Sequence, residues 1–272
     1  MFLLIITLIP LGLGLLYSLL YSVGLAGIGN GFTLKYWQQI LSDRHIYFSL
    51  FFSFYIAVLS IISIIMISLF LALTLNKKLS KGFFSYVIHV PLAIPAIVGG
   101  FLNFQLFSSS GWFSRILLAT NLISSNTQFP EIVNDDFGIA IILTHVLLAI
   151  PFFTIYFLKL YEAENIESYK LIASTLGAKK NQIDFQVIIP MLLKSSFPIL
   201  LLYLLFIFGS YEIPLILGSQ SSEMISILTE RKLQRFNLDD VPGGYVITIV
   251  YFLITSSIVY QSIQFKNKIE HA

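Results

Sequence analysis

The stretch HIYFSLFFSFYIAVLSIISIIMISLFLALTLN, residues 45–76, contains no aspartate, glutamate, lysine or arginine. A charged side chain at bilayer depth costs about 2.5–3.5 kcal/mol, and about 20 apolar residues cross the hydrocarbon core as a helix. The stretch therefore predicts a membrane-spanning helix. Five further charge-free intervals lie at 1–34, 82–114, 137–158, 195–211 and 241–265.

The composition of the whole chain agrees with an integral membrane protein. Hydrophobic residues make up 57% of the 272 positions and charged residues 11%, whereas an ordinary soluble domain carries about 25% charged residues. The formal net charge of +2 provides no electrostatic basis for nucleic-acid binding. With no cysteine, the chain has no disulfide framework, thiolate metal site or cysteine nucleophile.

The six intervals predict an all-α integral membrane protein with six transmembrane helices in a single domain over 1–272. The first interval lacks a basic n-region and runs apolar from Phe2 to about Leu25, which favours a retained helix over a cleaved signal peptide. The fifth is short, so its helix is expected to begin near Pro190, with Lys194 reaching the headgroups. The predicted spans are approximately 2–25, 47–75, 83–107, 138–159, 190–211 and 244–264.

The distribution of basic residues predicts the orientation, because cytoplasmic loops carry an excess of lysine and arginine. With the N-terminus inside, ten of the 16 basic residues fall on the cytosolic side, and both termini lie there. These ten are Lys77, Lys78, Lys81, Lys159, Lys170, Lys179, Lys180, Lys194, Lys266 and Lys268.

One cytosolic loop, 160–189, is long and has a helical pattern. Apolar residues recur at spacings of three and four between Asn165 and Leu176, and Gly177 follows where a left-handed helix end favours glycine. A second helical stretch, 179–188, runs into Pro190, which the first turn of a helix tolerates. The pattern indicates a helix–glycine–helix elbow continuous with the fifth span, or an amphipathic loop resting on lipid headgroups.

The stretch LIASTLGAKKNQIDFQVIIP, residues 171–190, resembles the signature loop of inner-membrane permease subunits of binding-protein-dependent ABC importers. Ala173, Gly177, Val187 and Pro190 fall at matching positions, while Leu171 stands where that signature has a glutamate. Three other segments are similar to the same family in order along the chain, and the pattern is nearest to permeases for polyamines, ferric iron, thiamine or small oxyanions. These segments are FTLKYWQQIL (32–41), HVPLAIPAIVGG (89–100) and GSYEIPLILG (209–218).

The resemblance implies a type I ABC importer permease in a bacterial or archaeal cytoplasmic membrane. The elbow would enter a cleft on a separate ATPase subunit, and that subunit would bind ATP and Mg. A second permease, identical or homologous, would complete the pathway, and an extracytoplasmic substrate-binding protein would deliver the solute. The residues implied in ATPase coupling are Leu171, Ala173, Ser174, Leu176, Gly177, Ala178 and Pro190.

The chain itself contains no G-x-x-x-x-G-K-[ST] string, so it is not expected to hydrolyse ATP in the P-loop manner. We therefore expect a transport subunit without a cofactor or catalytic residues of its own. The alternative is an ion-coupled carrier or channel that needs no ATPase and uses His89, His145 or Glu212 as its coupling group.

Two further sets of residues are candidate sites. Broken helices expose backbone groups that can line a cavity near the midplane, although kinks at helix crossings are at least as common. The lining residues predicted on this basis are Pro91, Pro95, Asn103, Gln105 and His145, and a neutral His145 bonded to a neighbouring helix is the competing interpretation.

The outer end of the fifth span holds the last candidates. Tyr211 and Glu212 are predicted to contact a docked binding protein or gate the outer mouth, or to form a solvated cap. The segment 223–240 is predicted to lie along the outer interface with most of its charges solvated. Its predicted apolar face consists of Ile227, Leu228, Leu233 and Phe236.

Overall fold

The computed structural model describes residues 2–27, 31–79, 86–234 and 238–270. Every regular element in these ranges is helical. The first half contains α1 (Phe2–Ser22), α2 (Lys35–Ser42), α3 (Arg44–Leu79), a 3₁₀ turn (Val90–Ala93), α4 (Ala96–Phe107), α5 (Trp112–Ala119) and a second 3₁₀ turn (Asn126–Gln128).

The second half begins with α6 (Ile139–Ala163), α7 (Ile166–Thr175) and α8 (Lys180–Ile183). A π turn (Asp184–Ile188) joins α8 to α9 (Ile189–Phe208). The remaining elements are α10 (Glu212–Leu217), α11 (Ile225–Leu233), a 3₁₀ turn (Leu238–Asp240) and α12 (Val241–Glu270).

Four helices in the described part of the chain are long and apolar enough to cross a membrane. They are Arg44–Thr74, Ile139–Ala163, Lys180–Phe208 and Leu238–Gln264. These match the second, fourth, fifth and sixth predicted spans, although the fifth begins ten residues before Pro190. The apolar helix Ile6–Ser22 is shorter, so the predicted count of six spans stays a prediction.

The third predicted span, 83–107, is not one helix. Residues 80–85 lie outside the described residues, and beyond them Pro95 has extended backbone that separates the 3₁₀ turn Val90–Ala93 from α4. Proline has no N–H to donate and disfavours helical backbone in the residue before it, which explains the break. The 12 residues of α4 extend about 18 Å, less than the hydrocarbon thickness.

The chain separates into two compact units, and the boundary falls within α3. The first unit comprises 1–52 and 223–272. Its core joins α2, the start of α3, α11 and α12 through the buried side chains of Ile40, Ile46, Ile225, Leu228, Val246 and Ile247. The prediction of a single domain over 1–272 stays a prediction.

The second unit comprises 53–222, and two adjacent glycines on α4 allow neighbouring helices to approach closely. A Cβ on Gly99 would lie 2.8 Å from Leu148 Cδ1 on α6, and one on Gly100 would lie 3.7 Å from Ile213 Cα on α10. Because real Cβ contacts are longer than 3 Å, a Cβ at position 99 would require the Leu148 side chain to move. The 3.7 Å distance at Gly100 is ordinary van der Waals contact. Around these helices the core is aromatic, with Phe153 and Phe157 fully buried.

Candidate functional site: the elbow between two membrane helices

Residues 164–190, here called the elbow segment, connect α6 to α9. At its start Asn165 adopts a left-handed backbone with φ +50°, a conformation that asparagine tolerates better than most residues. The helix α6 ends just before this residue, and α7 begins at Ile166. The segment is therefore separated from α6 by a defined turn rather than by a loose linker.

Gly177 terminates the first helix of the elbow segment. Its φ is +84°, and the Ala178 N–H donates to Ala173 O at 3.1 Å, which satisfies a terminal carbonyl. Among the described residues, no atom comes within 4 Å of the place where a Cβ would project. Glycine is thus favoured by its backbone conformation and not by crowding, as the sequence predicts.

The second helix of the elbow segment is continuous with a membrane helix. The Lys179 backbone N–H donates to Gln182 Oε1 at 2.9 Å at the start of α8, and α8, the π turn and α9 form one apolar helix of 29 residues. Pro190 is exposed at its second position in α9. A displacement of α8 would therefore act directly on α9.

Buried side chains and hydrogen bonds fix the elbow segment to α6 and α9. Ile166 has no exposed surface, and Ile188 is 1% exposed. The Tyr161 hydroxyl on α6 donates to Glu167 Oε2 at 2.6 Å, and Ser195 Oγ on α9 donates to Glu164 Oε1 at 2.9 Å. The segment is anchored at both ends.

Several apolar side chains of the elbow segment are nevertheless exposed. Leu176 is 82% exposed, Leu171 66% and Ile172 58%. Of the apolar positions that repeat along α7, only Ile166 is buried, and Tyr169 is 48% exposed. Single exposed leucines are ordinary, but a group of them on one short helix marks an interaction surface. We call Leu171, Ile172 and Leu176 the apolar surface of α7.

A groove of about 510 Å³ lies within the elbow segment beside this surface. Its walls combine two carboxylates, two ammonium groups and small or apolar side chains. Glu167 Oε1 accepts from Lys170 Nζ at 3.4 Å across one wall. The lining residues are Glu167, Ser168, Lys170, Leu171, Ser174, Ala178, Lys180, Ile183 and Asp184. Three residues predicted to couple, Leu171, Ser174 and Ala178, thus come together at one groove.

The predicted pathway residues differ in accessibility. Pro95 and Gln105 are exposed and Pro91 is half-buried, whereas Asn103 is 6% and His145 1% exposed. Asn103 Nδ2 donates to Gly99 O at 3.0 Å within its own helix. In the described part of the chain, Asn103 Oδ1 and His145 Nε2 have no hydrogen-bond partner. The structure therefore does not bring the five residues to one surface.

Tyr211 and Glu212 lie at the start of α10, the short helix after α9. Tyr211 is half-buried and Glu212 is exposed. The end of α10 is fastened to the loop before α6, because Asn134 N–H donates to Leu217 O at 3.0 Å and Ser221 Oγ donates to Asp136 Oδ1. Glu212 thus stands exposed on a helix whose far end is fixed.

One charged cluster in the first unit is an exception to the expectation that most charges over 223–240 are solvated. The Glu223 side chain is 3% exposed, and its Oε1 accepts from Arg231 and lies 3.6 Å from His45 Nε2. His45 is on α3, far from Glu223 in sequence, so helical spacing could not reveal this cluster. Phe236, predicted to share the apolar face of this segment, lies outside the described residues.

A family profile described as "Binding-protein-dependent transport system inner membrane component" matches residues 64–265. The chain belongs to this family. The match confirms the resemblance carried by residues 171–190, and it includes the elbow segment, α4, α6, α9 and most of α12. Membership makes this chain a membrane permease component of binding-protein-dependent transport.

Comparison with solved structures agrees with this assignment at the level of the fold. The chain is similar to a chain in the crystal structure of a bacterial ABC transporter involved in the import of the acidic polysaccharide alginate. The TM-score is 0.74 at 16% sequence identity, over 97% of this chain and 92% of that chain. A comparison with curated protein sequences finds no match.

Proposed function

We propose that this permease is the transmembrane subunit of an ATP-driven importer and that its elbow segment binds a separate ATPase subunit. The observation that carries the proposal is an exposed apolar surface, Leu171, Ile172 and Leu176, on a segment whose second helix continues into a membrane helix. A bound ATPase would cover these side chains, and its movement would pass through α8 to α9.

A lipid surface is a poorer match to the elbow segment than a protein. Peripheral binding to anionic lipids relies on an excess of lysine and arginine. Over 159–189, four lysines are balanced by Glu162, Glu164, Glu167 and Asp184. Two lysines are already paired, Lys159 with Glu162 at 3.1 Å and Lys170 with Glu167 at 3.4 Å. This balance favours docking on a protein.

We further propose six membrane spans with both termini in the cytosol. Besides the four long helices, α1 contributes one crossing, since its 21 residues extend about 31 Å. The proline-interrupted segment that ends in α4 contributes the other, because helical interruptions are tolerated where neighbouring helices cover them. This arrangement places the elbow segment and ten of the 16 basic residues on the cytosolic side.

The permease would form half of the translocation pathway beside a second permease, identical or homologous, in the cytoplasmic membrane. An extracytoplasmic substrate-binding protein would deliver the solute, with Tyr211 and Glu212 at the outer contact or gate. Pro91, Pro95 and Gln105 reach the surface of their unit and are the accessible members of the proposed lining. Asn103 and His145 are buried and would join it only in a conformation that exposes them.

The proposal is tested by purifying the chain gently from its host and weighing the complex by native mass spectrometry. We expect the complex to contain two ATPase subunits and a second permease. The ATPase subunits would bind the ATP and Mg. Leu176→Glu should remove the ATPase, whereas Leu122→Glu should not, because Leu122 is 72% exposed but lies outside the elbow segment.

Two results would contradict the proposal. One is normal ATPase binding by the Leu176→Glu variant. The other is full uptake by this chain alone in vesicles without ATP, which would indicate an ion-coupled carrier or a channel.

A further inference from the structure

The buried face of the helix that leaves the elbow segment has one irregular interval. Between 181 and 200 the buried residues are Ile183, Ile188, Leu192, Ser196 and Leu200. Four of these five follow one another at intervals of four, as a helix packed along one side requires. The interval from Ile183 to Ile188 is five, so the sequence carries one extra residue at this point.

The π turn Asp184–Ile188 accommodates that residue. The Ile189 N–H bonds to Asp184 O, five residues back, in place of the i−4 partner of an α-helix. The wider turn keeps Ile183 on the same buried face as Ile188 and Leu192. In a continuous α-helix, residues before the turn would rotate by about 100°, the angle of one residue.

Asp184 shows what the rotation would change. It stands four residues before Ile188, so an uninterrupted α-helix would place its carboxylate on the buried face and turn Ile183 away. With the π turn, Asp184 instead lines the groove of the elbow segment, beside Lys180 and Ile183. Burial of an unpaired carboxylate is strongly unfavourable, so the order Ile183–Asp184 favours the π turn.

We propose that the π turn sets the rotational register of the elbow segment relative to α9, and that Ile183 and Asp184 are the positioning residues that select it. This inference rests on the proposed function, because the register decides which side of the elbow segment faces a docked ATPase. The π turn affects coupling only because it orients the elbow segment. A regular helix that gives the same orientation would serve equally well.

Two variants separate orientation from the presence of the turn. The exchange I183D/D184I keeps length and composition but puts the isoleucine four residues before Ile188, which allows a regular α-helix and rotates the elbow segment. Deletion of Gln186, an exposed residue, also allows a regular α-helix but leaves Ile183 four residues before Ile188 and preserves the orientation. Gln186→Ala controls for loss of the side chain.

The orientation is measured directly in the full chain. Because the sequence has no cysteine, Ser174→Cys and Phe197→Cys introduce the only two sites for spin labels, one on α7 and one on α9. We expect the label–label distance in the exchange variant to shift, and the distances in the deletion and Gln186→Ala variants to match the parent. An unchanged distance in the exchange variant would overturn the inference.

The functional readout is the transport-stimulated ATPase activity of the reconstituted complex. The exchange variant should fall to the basal rate, while the deletion and Gln186→Ala variants should keep their stimulation. Full stimulation in the exchange variant, or its loss in a correctly oriented deletion variant, would overturn the inference. If the parent chain binds no ATPase, the proposed function fails, and the distance measurement still decides the register.

Discussion

Ser195 on α9 donates a hydrogen bond of 2.9 Å to the carboxylate of Glu164, the residue that caps the C-terminal end of α6. The two residues are 31 positions apart, and the rest of the elbow segment, from Asn165 to Pro190, lies between them. The bond therefore closes a loop, so that α7 and α8 extend from a joined base.

Removal of this bond should loosen the elbow segment more than the membrane helices. The bond is exposed to solvent, so Ser195→Ala is expected to cost at most about 1 kcal/mol of stability. Hydrogen exchange of the α7 amides should become faster while exchange within α6 stays unchanged. Ser195→Thr, which retains the hydroxyl, is the control, and equal exchange in Ser195→Ala and the parent would contradict the role of the bond.

Substitution of Gly177 should be costly because of its backbone conformation. With φ at +84° and open space around it, Gly177→Ala should lose about 1–2 kcal/mol. Gly177→Val should lose more, because β-branched residues are genuine outliers at positive φ. Gly177→Asn should be milder, since asparagine tolerates this region. Thermal unfolding in detergent would rank the three variants, and equal stability of the valine and asparagine variants would contradict the assignment.

The contact between Gly99 and Leu148 predicts a size compensation. A Cβ at position 99 would meet Leu148 Cδ1 at 2.8 Å, so Gly99→Ala should destabilise the protein by about 1–3 kcal/mol through overpacking. Leu148→Ala should recover part of that loss in the double variant, because the colliding atoms are removed. A double-mutant cycle of melting temperatures measures the coupling, and strictly additive losses would show that the two residues do not meet.

The buried Glu223 should depend on its partner Arg231. Replacement of Arg231 by methionine removes the guanidinium from a carboxylate that is 3% exposed and lies 3.6 Å from His45 Nε2. We expect a loss of up to about 3 kcal/mol, below the 3–5 kcal/mol of a fully buried pair because Arg231 is 44% exposed. Thermal unfolding of Arg231→Met and of E223Q/R231M compares the two cases. The double variant should be the more stable, and the reverse order would contradict the cluster.

Long uninterrupted runs of apolar residues predicted the four long helices, because absence of charge and length alone decide whether a helix can cross lipid. Gly177 was equally predictable, since a left-handed helix end has a specific residue preference. Pro91 and Pro95 predicted that the third span is interrupted. The sequence did not predict that α4 begins only after Pro95 and is therefore short.

Features that depend on tertiary contacts were not predictable in the same way. Glu223 looks like any surface carboxylate until His45, distant in sequence, is folded against it. Asp184 likewise gives no local sign of the π turn, because the extra residue becomes visible only when the buried residues on both sides are known. The candidate coupling residues were found by their resemblance, and the grouping of Leu171, Ser174 and Ala178 around one groove required the fold.

The 29-residue helix Lys180–Phe208 is about 43 Å long at 1.5 Å per residue, which exceeds a hydrocarbon core of about 30 Å. On the proposed function, such a helix would act as a lever that pivots within the bilayer. Rotation by about 10° around its centre carries each end through about 4 Å, in opposite directions, by the same 1.5 Å rise. On the proposed coupling, a displacement of Lys180 toward one side would move Phe208 toward the other, so that access at one membrane face would narrow as access at the other widens.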